Sequence, residues 1–228
     1  TAGTSVTARG VTRNTATLRS CLLNWYRRNR RDLPWRRTRD PYAIWISEIM
    51  LQQTRVDTVI PYYKRFLERY ENVNSLAESD IEEVLCYWSG LGYYRRARFL
   101  HRAARQLVDE FRGVFPEDAG KLRALPGVGS YTAGAIASIA FDRSEPAVDG
   151  NVTRVLSRIA GIRDDVRSSS VRIRIEAMAR ELAVGPSPGE FNQSLMELGA
   201  IVCAPRTPQC HICPVQQHCE AFATGDQE

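Results

Sequence analysis

Residues 125–151 read LPGVGSYTAGAIASIAFDRSEPAVDGN. Pro126-Gly127-Val128-Gly129 is too rich in turn formers to be helix, and a helical stretch follows at once, from about Ser130 to Ala140. Glycines just ahead of a helix let the backbone approach a partner closely and aim free N–H groups outward. The helix dipole adds partial positive charge, so the unit is a ready anion site. Its bland rival is a plain interhelical turn. No strand precedes the segment and no third glycine falls in register, which argues against a dinucleotide loop. No Gly-Lys-Ser/Thr follows, which excludes a phosphate-binding P-loop. Asp149, twenty residues past Gly129, opens the next helical stretch. It reads either as a helix N-cap or as a carboxylate set beside a held polyanion.

The rest of the chain carries the same message of short helices and sharp turns. Helical periods cover about 17–29, 42–53, 57–70, 80–88, 94–111, 118–124, 130–141, 150–160, 171–183 and 190–201. Turn signals separate them at Leu33-Pro34, Asp40-Pro41, Gly90-Leu91-Gly92, Gly113, Pro126-Gly127, Pro146 and Pro186 to Gly189. Ser79 and Glu82 form a capping-box pattern. No convincing alternating strand interrupts the series, so the expected fold is all-α. Residues 1–16 are polar, small and without period, and read as a tail. No apolar run approaches membrane-spanning length and no secretory signal is visible. A soluble protein is expected.

The net charge of +5 leans toward an acidic partner. Only Lys64 and Lys121 are lysine; every other basic residue is arginine, whose fork suits phosphate and base edges. Residues 25–39, WYRRNRRDLPWRRTR, put seven arginines among two tryptophans and a tyrosine. In residues 93–105, Arg98, Arg102 and Arg105 share one helical face behind Tyr93-Tyr94. Cations track a phosphate backbone, and flat rings stack on bases or wedge between them. The competing reading of each patch is a solvated face with aromatic core anchors.

Two further clusters carry chemistry. Glu48, in YAIWISEIMLQQT, has Ile44, Trp45 and Leu51 as helical neighbours. A carboxyl on an apolar stripe is desolvated, which disfavours its charge and suits it to hold and deliver a proton; alternatively the stripe turns away and Glu48 is solvated. Gln52 and Gln53, neutral donors and acceptors, follow one turn later. Near the C-terminus, Cys203, Cys210, Cys213 and Cys219 lie within 17 residues at spacings x6, x2 and x5. They read as a metal site, with thiolate-only ligation pointing to iron–sulfur, zinc as the rival, and disulfides as the third reading. Cys21 and Cys86 fall in helical patterns and read as small core residues.

SEIMLQQTRV, GLGYYRRAR, LPGVGSYTAGAI, VDGNVTRVLSR, FNQSLMELGAIVC and the cysteine tail together resemble the MutY adenine-DNA glycosylases, in order and with the right spacing, from about Asn24 to Cys219. The resemblance implies the two-lobed helix-hairpin-helix glycosylase fold. A six-helix lobe would span 34–144, and an iron–sulfur lobe would join 17–33 to 145–223. Double-stranded DNA holding a mispair would lie between them, with Glu48 and Asp149 on opposite walls. Glu48 matches the proton donor and Asp149 the carboxylate that stabilises a cationic sugar. Asn151 matches a polar partner of that aspartate, and Tyr131 the hairpin position that varies with mechanism. Tyr93 matches an aromatic wedge and Gln53 a residue inserted near the vacated base. Arg31, Leu33, Trp35 and Arg36 match the lining of an adenine pocket. Arg96, Gln193 and the hairpin glycines Gly127 and Gly129 are expected at the DNA. Cys203, Cys210, Cys213 and Cys219 match the ligands of a 4Fe–4S cluster. Tyr131 stands where strand-nicking relatives carry lysine, so a monofunctional enzyme leaving an abasic site is implied, a monomer of the cytoplasm at the nucleoid of a bacterium or archaeon. Related thymine glycosylases acting on G·T pairs are the nearest rival. MutY proteins usually continue into a C-terminal domain that helps recognise 8-oxoguanine, and the resemblance reaches no such domain.

Overall fold

The computed structural model describes residues 15–227, and every regular element among them is helical. The chain divides into two compact units, Arg31–Arg143 and the two segments that end at Arg30 and begin at Ser144. Of the expected tail, residues 1–14 lie outside the described residues. Thr15 and Ala16 already belong to the first helix, α1 (Thr15–Asn29).

In the unit Arg31–Arg143, a 3₁₀ turn (Pro34–Arg36) leads to α2 (Pro41–Leu51). Asp40 starts α2 by accepting from the N–H groups of Tyr42 and Ala43, with Pro41 preset at the first helical position. Tyr42 to Met50 are all buried. Such a helix is a central rod rather than an amphipathic cover. Around it follow α3 (Val56–Arg69), α4 (Val73–Ala77), α5 (Ile81–Trp88), α6 (Arg95–Phe111), α7 (Ala119–Arg123) and α8 (Ser130–Phe141). The one-turn α4 joins the expected six; Asn72 and Ser75 cap it reciprocally. Against α2 packs α8, whose small Ala133, Gly134, Ala135 and Ala137 allow a close approach. Helix α6 buries Ala97, Leu100, Ala103, Ala104 and Leu107, and leaves Arg98, Arg102 and Arg105 exposed. Before α8 the chain turns at Gly127, whose φ is 76°, and an added Cβ would stand 2.8 Å from Phe99 Cβ.

Two local expectations need correction. The capping box on Ser79 and Glu82 does not form. Asp80 is the N-cap of α5, with Oδ1 accepting from the Glu82 N–H at 2.9 Å, while Ser79 Oγ donates back to the Leu76 carbonyl at 2.6 Å. A carboxylate beside the helix start outcompetes a hydroxyl one residue earlier. Cys86 is exposed, not a core residue; Val84 and Trp88 face inward in its place.

The other unit contains α1, α9 (Gly150–Ile159), α10 (Ser169–Ala183), α11 (Pro188–Ile201), two 3₁₀ turns (Cys210–Ile212 and Gln216–His218) and α12 (Glu220–Thr224). Its core joins Leu18, Leu22 and Leu23 of α1 to Val155, Leu156, Ile175, Phe191 and Leu195. Arg19 is buried and secures the join: its guanidinium donates to the Leu182 carbonyl and, at 2.7 Å, to that of Pro186, and lies over the Phe191 ring.

Candidate functional site

Glu48 lies midway along the buried rod α2 and is only 6% exposed, so the solvated reading fails. Tyr131, in the first turn of α8, donates its O–H to Glu48 Oε2 at 2.6 Å. The packing of α8 on α2 therefore joins the hairpin to the carboxyl. The phenolic hydrogen bond replaces part of the hydration that the carboxyl loses on burial.

Gln53 and Tyr93 are both exposed, Tyr93 by 63%, and both have left-handed backbone, with φ of 57° and 47°. Non-glycine residues seldom adopt that region. Arg96, expected at the DNA, is placed differently. Its guanidinium donates to the carbonyls of Ile49, Met50 and Gln52 from Nη1, and to Thr54 Oγ1 and the carbonyls of Leu91 and Gly92 from Nη2. These acceptors hold the side chain inside the fold, away from a phosphate. Gly127 and Gly129 are exposed in the turn before α8. A Cβ on Gly129 would meet nothing within 4 Å. Nothing inside the fold therefore requires glycine there.

Residues 31–36 give a mixed picture. Leu33 and Trp35 are buried in the core of their unit, with Trp35 edge-on to Tyr63 at 5.4 Å. Arg31 and Arg36 are half-buried, and Arg36 donates to the Arg31 carbonyl at 3.1 Å. The flanking arginines are less free than their number suggests: Arg27 pairs with Glu190, Arg37 with Asp32 and Arg39 with Asp142. Such exposed pairs contribute little to stability.

Of the two readings the sequence left open for Asp149, the structure shows the helix cap. Asp149 is the N-cap of α9, with Oδ1 accepting from the Val152 N–H at 2.7 Å. Its Oδ2 accepts from Asn151 Nδ2 at 2.9 Å. Burial raises its pKa above the ordinary carboxylate value, against the opposing pull of these bonds and of Arg154. Arg154, which the sequence reading missed, donates to Asn151 Oδ1 at 2.9 Å, the Gly199 carbonyl at 2.8 Å and the Cys203 carbonyl at 2.9 Å. Arg158, also missed, donates to Cys203 Sγ at 3.3 Å and to the carbonyls of Ala204 and Pro205. An unbroken series of hydrogen bonds thus runs from the Cys203 loop to the Asp149 carboxylate. The signal was present in the sequence: Asn151, Arg154 and Arg158 share one face of a helix. Gln193 is half-buried on α11, with its carbonyl accepting from the Tyr26 hydroxyl at 3.0 Å.

Helices α9 and α11 approach so closely that a Cβ on Gly199 would lie 2.6 Å from Asn151 Cβ and 3.1 Å from its Cα. Backbone cannot give way as a side-chain tip can. Gly199→Ala is expected to lower stability by about 1–3 kcal/mol and to displace Asn151, read as a fall in the thermal midpoint.

Cys203, Cys210, Cys213 and Cys219 are free thiols that line one cavity with Val202, Pro208 and Phe222. Burial pushes the Cys213 thiol up to about 11, and Cys210 and Cys219 also upward. With the Arg158 guanidinium beside them, four thiolates still need further positive charge, so the donor set fits a thiolate-ligated metal group. Among the described residues, no three His, Cys, Asp or Glu side chains converge on one metal-ion position.

The chain is similar to known proteins over most of its length. The chain is 50% identical over 213 residues to an adenine DNA glycosylase of Mus musculus, covering 90% of this chain and 41% of that protein. It is 42% identical to the adenine DNA glycosylase of Buchnera aphidicola subsp. Schizaphis graminum (strain Sg), covering 88% of this chain and 58% of that one. The chain thus spans about half the length of the curated relatives it matches. Among solved structures, a thermostable thymine-DNA glycosylase superposes with a TM-score of 0.85 at 30% identity, covering 94% of this chain and 99% of its own. Among the described residues no helix is long and apolar enough to cross a membrane. Residues 46–181, which include Glu48, Tyr131 and Asp149, match the HhH-GPD superfamily base excision DNA repair protein family. Glu48 and Tyr131 joined through α2 and α8, and Asp149 capping α9, are placed by the part of the chain that this match covers, and the chain belongs to that superfamily.

Proposed function

We propose that the chain is the catalytic portion of a monofunctional adenine DNA glycosylase, acting on adenine mispaired with 8-oxoguanine or guanine in duplex DNA. The observation that carries the reading is Glu48, a carboxyl sealed in an apolar helix and held by Tyr131. Adenine leaves poorly as an anion. In this mechanism Glu48 gives its proton to a ring nitrogen, the C1′–N bond breaks, and its electron pair stays with the base. The sugar becomes an oxocarbenium-like cation. Asp149, ionised, stabilises that cation until water adds to C1′ and loses a proton, leaving an abasic site. The base reaches these groups only after extrusion from the stack, with Tyr93 as wedge and Gln53 in the vacated space. The exposed arginines of α6 and the turn at Gly127 and Gly129 would hold phosphates.

Support for adenine over thymine comes from the 50% and 42% identities to adenine enzymes, against 30% to the thymine enzyme. A panel of duplexes carrying A·8-oxoguanine, A·G and T·G tests this: adenine release is expected, and thymine release exceeding it would reverse the assignment. No strong covalent adduct is expected on borohydride treatment, because a Schiff base needs an amine that Tyr131 cannot supply.

Cys203, Cys210, Cys213 and Cys219 would hold a 4Fe–4S cluster. Bound, it would supply the positive charge that makes four half-buried thiolates tolerable and would clip the C-terminal loop. Broad visible absorbance is expected. Cys213→Ser should bleach it and lower the thermal midpoint, because metal-binding free energy is folding free energy. A colourless protein with stoichiometric zinc would count against the cluster.

A further inference from the structure

Arg96 is half-buried and stacked over the Trp88 ring at 5.4 Å and the Tyr93 ring at 5.6 Å. Its two terminal nitrogens reach six acceptors on two separate stretches of chain, 49–54 and 91–92. Gln52 and Gly92 are the residues immediately before Gln53 and Tyr93. The peptide that each carbonyl belongs to sets the φ rotation of the next residue, and those rotations are the left-handed ones, 57° and 47°. Trp88 Nε1 donates to the same Gly92 carbonyl at 3.1 Å. Strained backbone of this kind persists only where the surroundings over-determine it.

We infer that Arg96 is a positioning residue that sets Gln53 and Tyr93 together as one preformed, duplex-probing pair, by clamping the carbonyls of Gln52 and Gly92. The inference rests on the glycosylase reading for the roles of those two side chains. Preforming the pair removes the cost of ordering two loops when DNA binds. Arginine is required for geometry rather than charge: its planar fork can address two loops at once, whereas an ammonium is a single point with three donors. A different role is also available to Arg96. The Ile49 and Met50 carbonyls belong to the end of α2, where acceptors lack helical partners, so the same contacts could serve only as a helix cap.

The test is a cycle in the full chain between Arg96→Lys and the paired change Gln53→Ala with Tyr93→Ala. A duplex carrying 2-aminopurine beside the mispaired adenine reports unstacking on binding, and single-turnover excision reports the chemistry. Arg96→Lys is expected to cut both signals about tenfold in the otherwise native chain and by less than about twofold when Gln53 and Tyr93 are already alanine, the signature of residues acting as a unit. Equal losses in both backgrounds, or no loss, would overturn the inference and leave Arg96 as a cap. If Arg96→Lys does not fold, Thr54→Val removes one acceptor of the same clamp, and the same non-additivity is expected at smaller amplitude; additivity there overturns the inference too. A native chain that unstacks the probe but releases no base would refute the glycosylase reading, while the fluorescence cycle still decides on Arg96. A native chain that binds duplex without unstacking it would sink the positioning role itself.

Discussion

Glu48→Gln is expected to lower single-turnover adenine excision by about 10²–10⁴-fold, the range that a positioned general acid contributes. The substitution is nearly isosteric, and its amide oxygen can still accept from Tyr131, so the packing of α2 on α8 should survive. The thermal midpoint and the affinity for the mispaired duplex are therefore expected to stay near those of the native chain. What disappears is the ability to pass a proton to the departing base. The measurement pairs a melting curve with quench-flow excision. A variant that retains excision within about threefold of native would remove Glu48 from the chemistry and leave it as a buried structural carboxyl.

Asp149→Asn is expected to cost about 10²–10³-fold in excision, the scale of losing one preorganised electrostatic contact to a developing charge. Asparagine caps helices as well as aspartate does, so the bond from the Val152 N–H can remain. The other half of the side chain fares worse. An amide nitrogen placed at Oδ2 would face Asn151 Nδ2, donor against donor. Flipping Asn151 would mend that contact and set its amide nitrogen against Arg154, which now donates to Asn151 Oδ1. Either arrangement breaks the series that leads back to Cys203.

The pH dependence of Asp149 has two opposite signs. Burial raises the folded-state pKa above that of the unfolded chain. The folded protein thus keeps this proton longer, so the contribution of the group to stability is greatest below the unfolded value and is lost as pH rises through the folded one. Activity runs the other way, because only the ionised form stabilises a cation. The acid limb of the excision profile in the native chain is expected above the ordinary aspartate value of about 3.9, and Asp149→Asn should abolish that limb. A limb unchanged by the substitution would assign it to another group.

Much of this was readable from residue order, and the reason is local. A turn rich in glycine and proline cannot be helix, an apolar run of helical period without alternation cannot be a half-exposed strand, and a nearby carboxylate or hydroxyl starts a helix wherever it occurs. These preferences act over a few residues, so the succession of short helices, the turn before α8 and the grouping of four cysteines followed from the sequence. Even at that range, competition between neighbours escaped it: Asp80 displaced Ser79 as cap.

What needed the folded chain is whatever depends on which groups lose water together. Period alone could not say whether Glu48 points into solvent; the packing of α8 against the rod α2 decided that and brought Tyr131 to it from 83 positions away. An arginine in a basic stretch reads as a phosphate ligand, yet Arg96 sits among carbonyls that converge only after α2, α5 and α6 have packed. Cys86 and Cys203 are the same residue type, and only tertiary contacts put one at the surface and the other at the end of a hydrogen-bonded series from Asp149. Backbone propensity is a property of neighbours in sequence. Desolvation and hydrogen-bond partnership are properties of neighbours in space, and the reactivity of a carboxyl is set by the second kind.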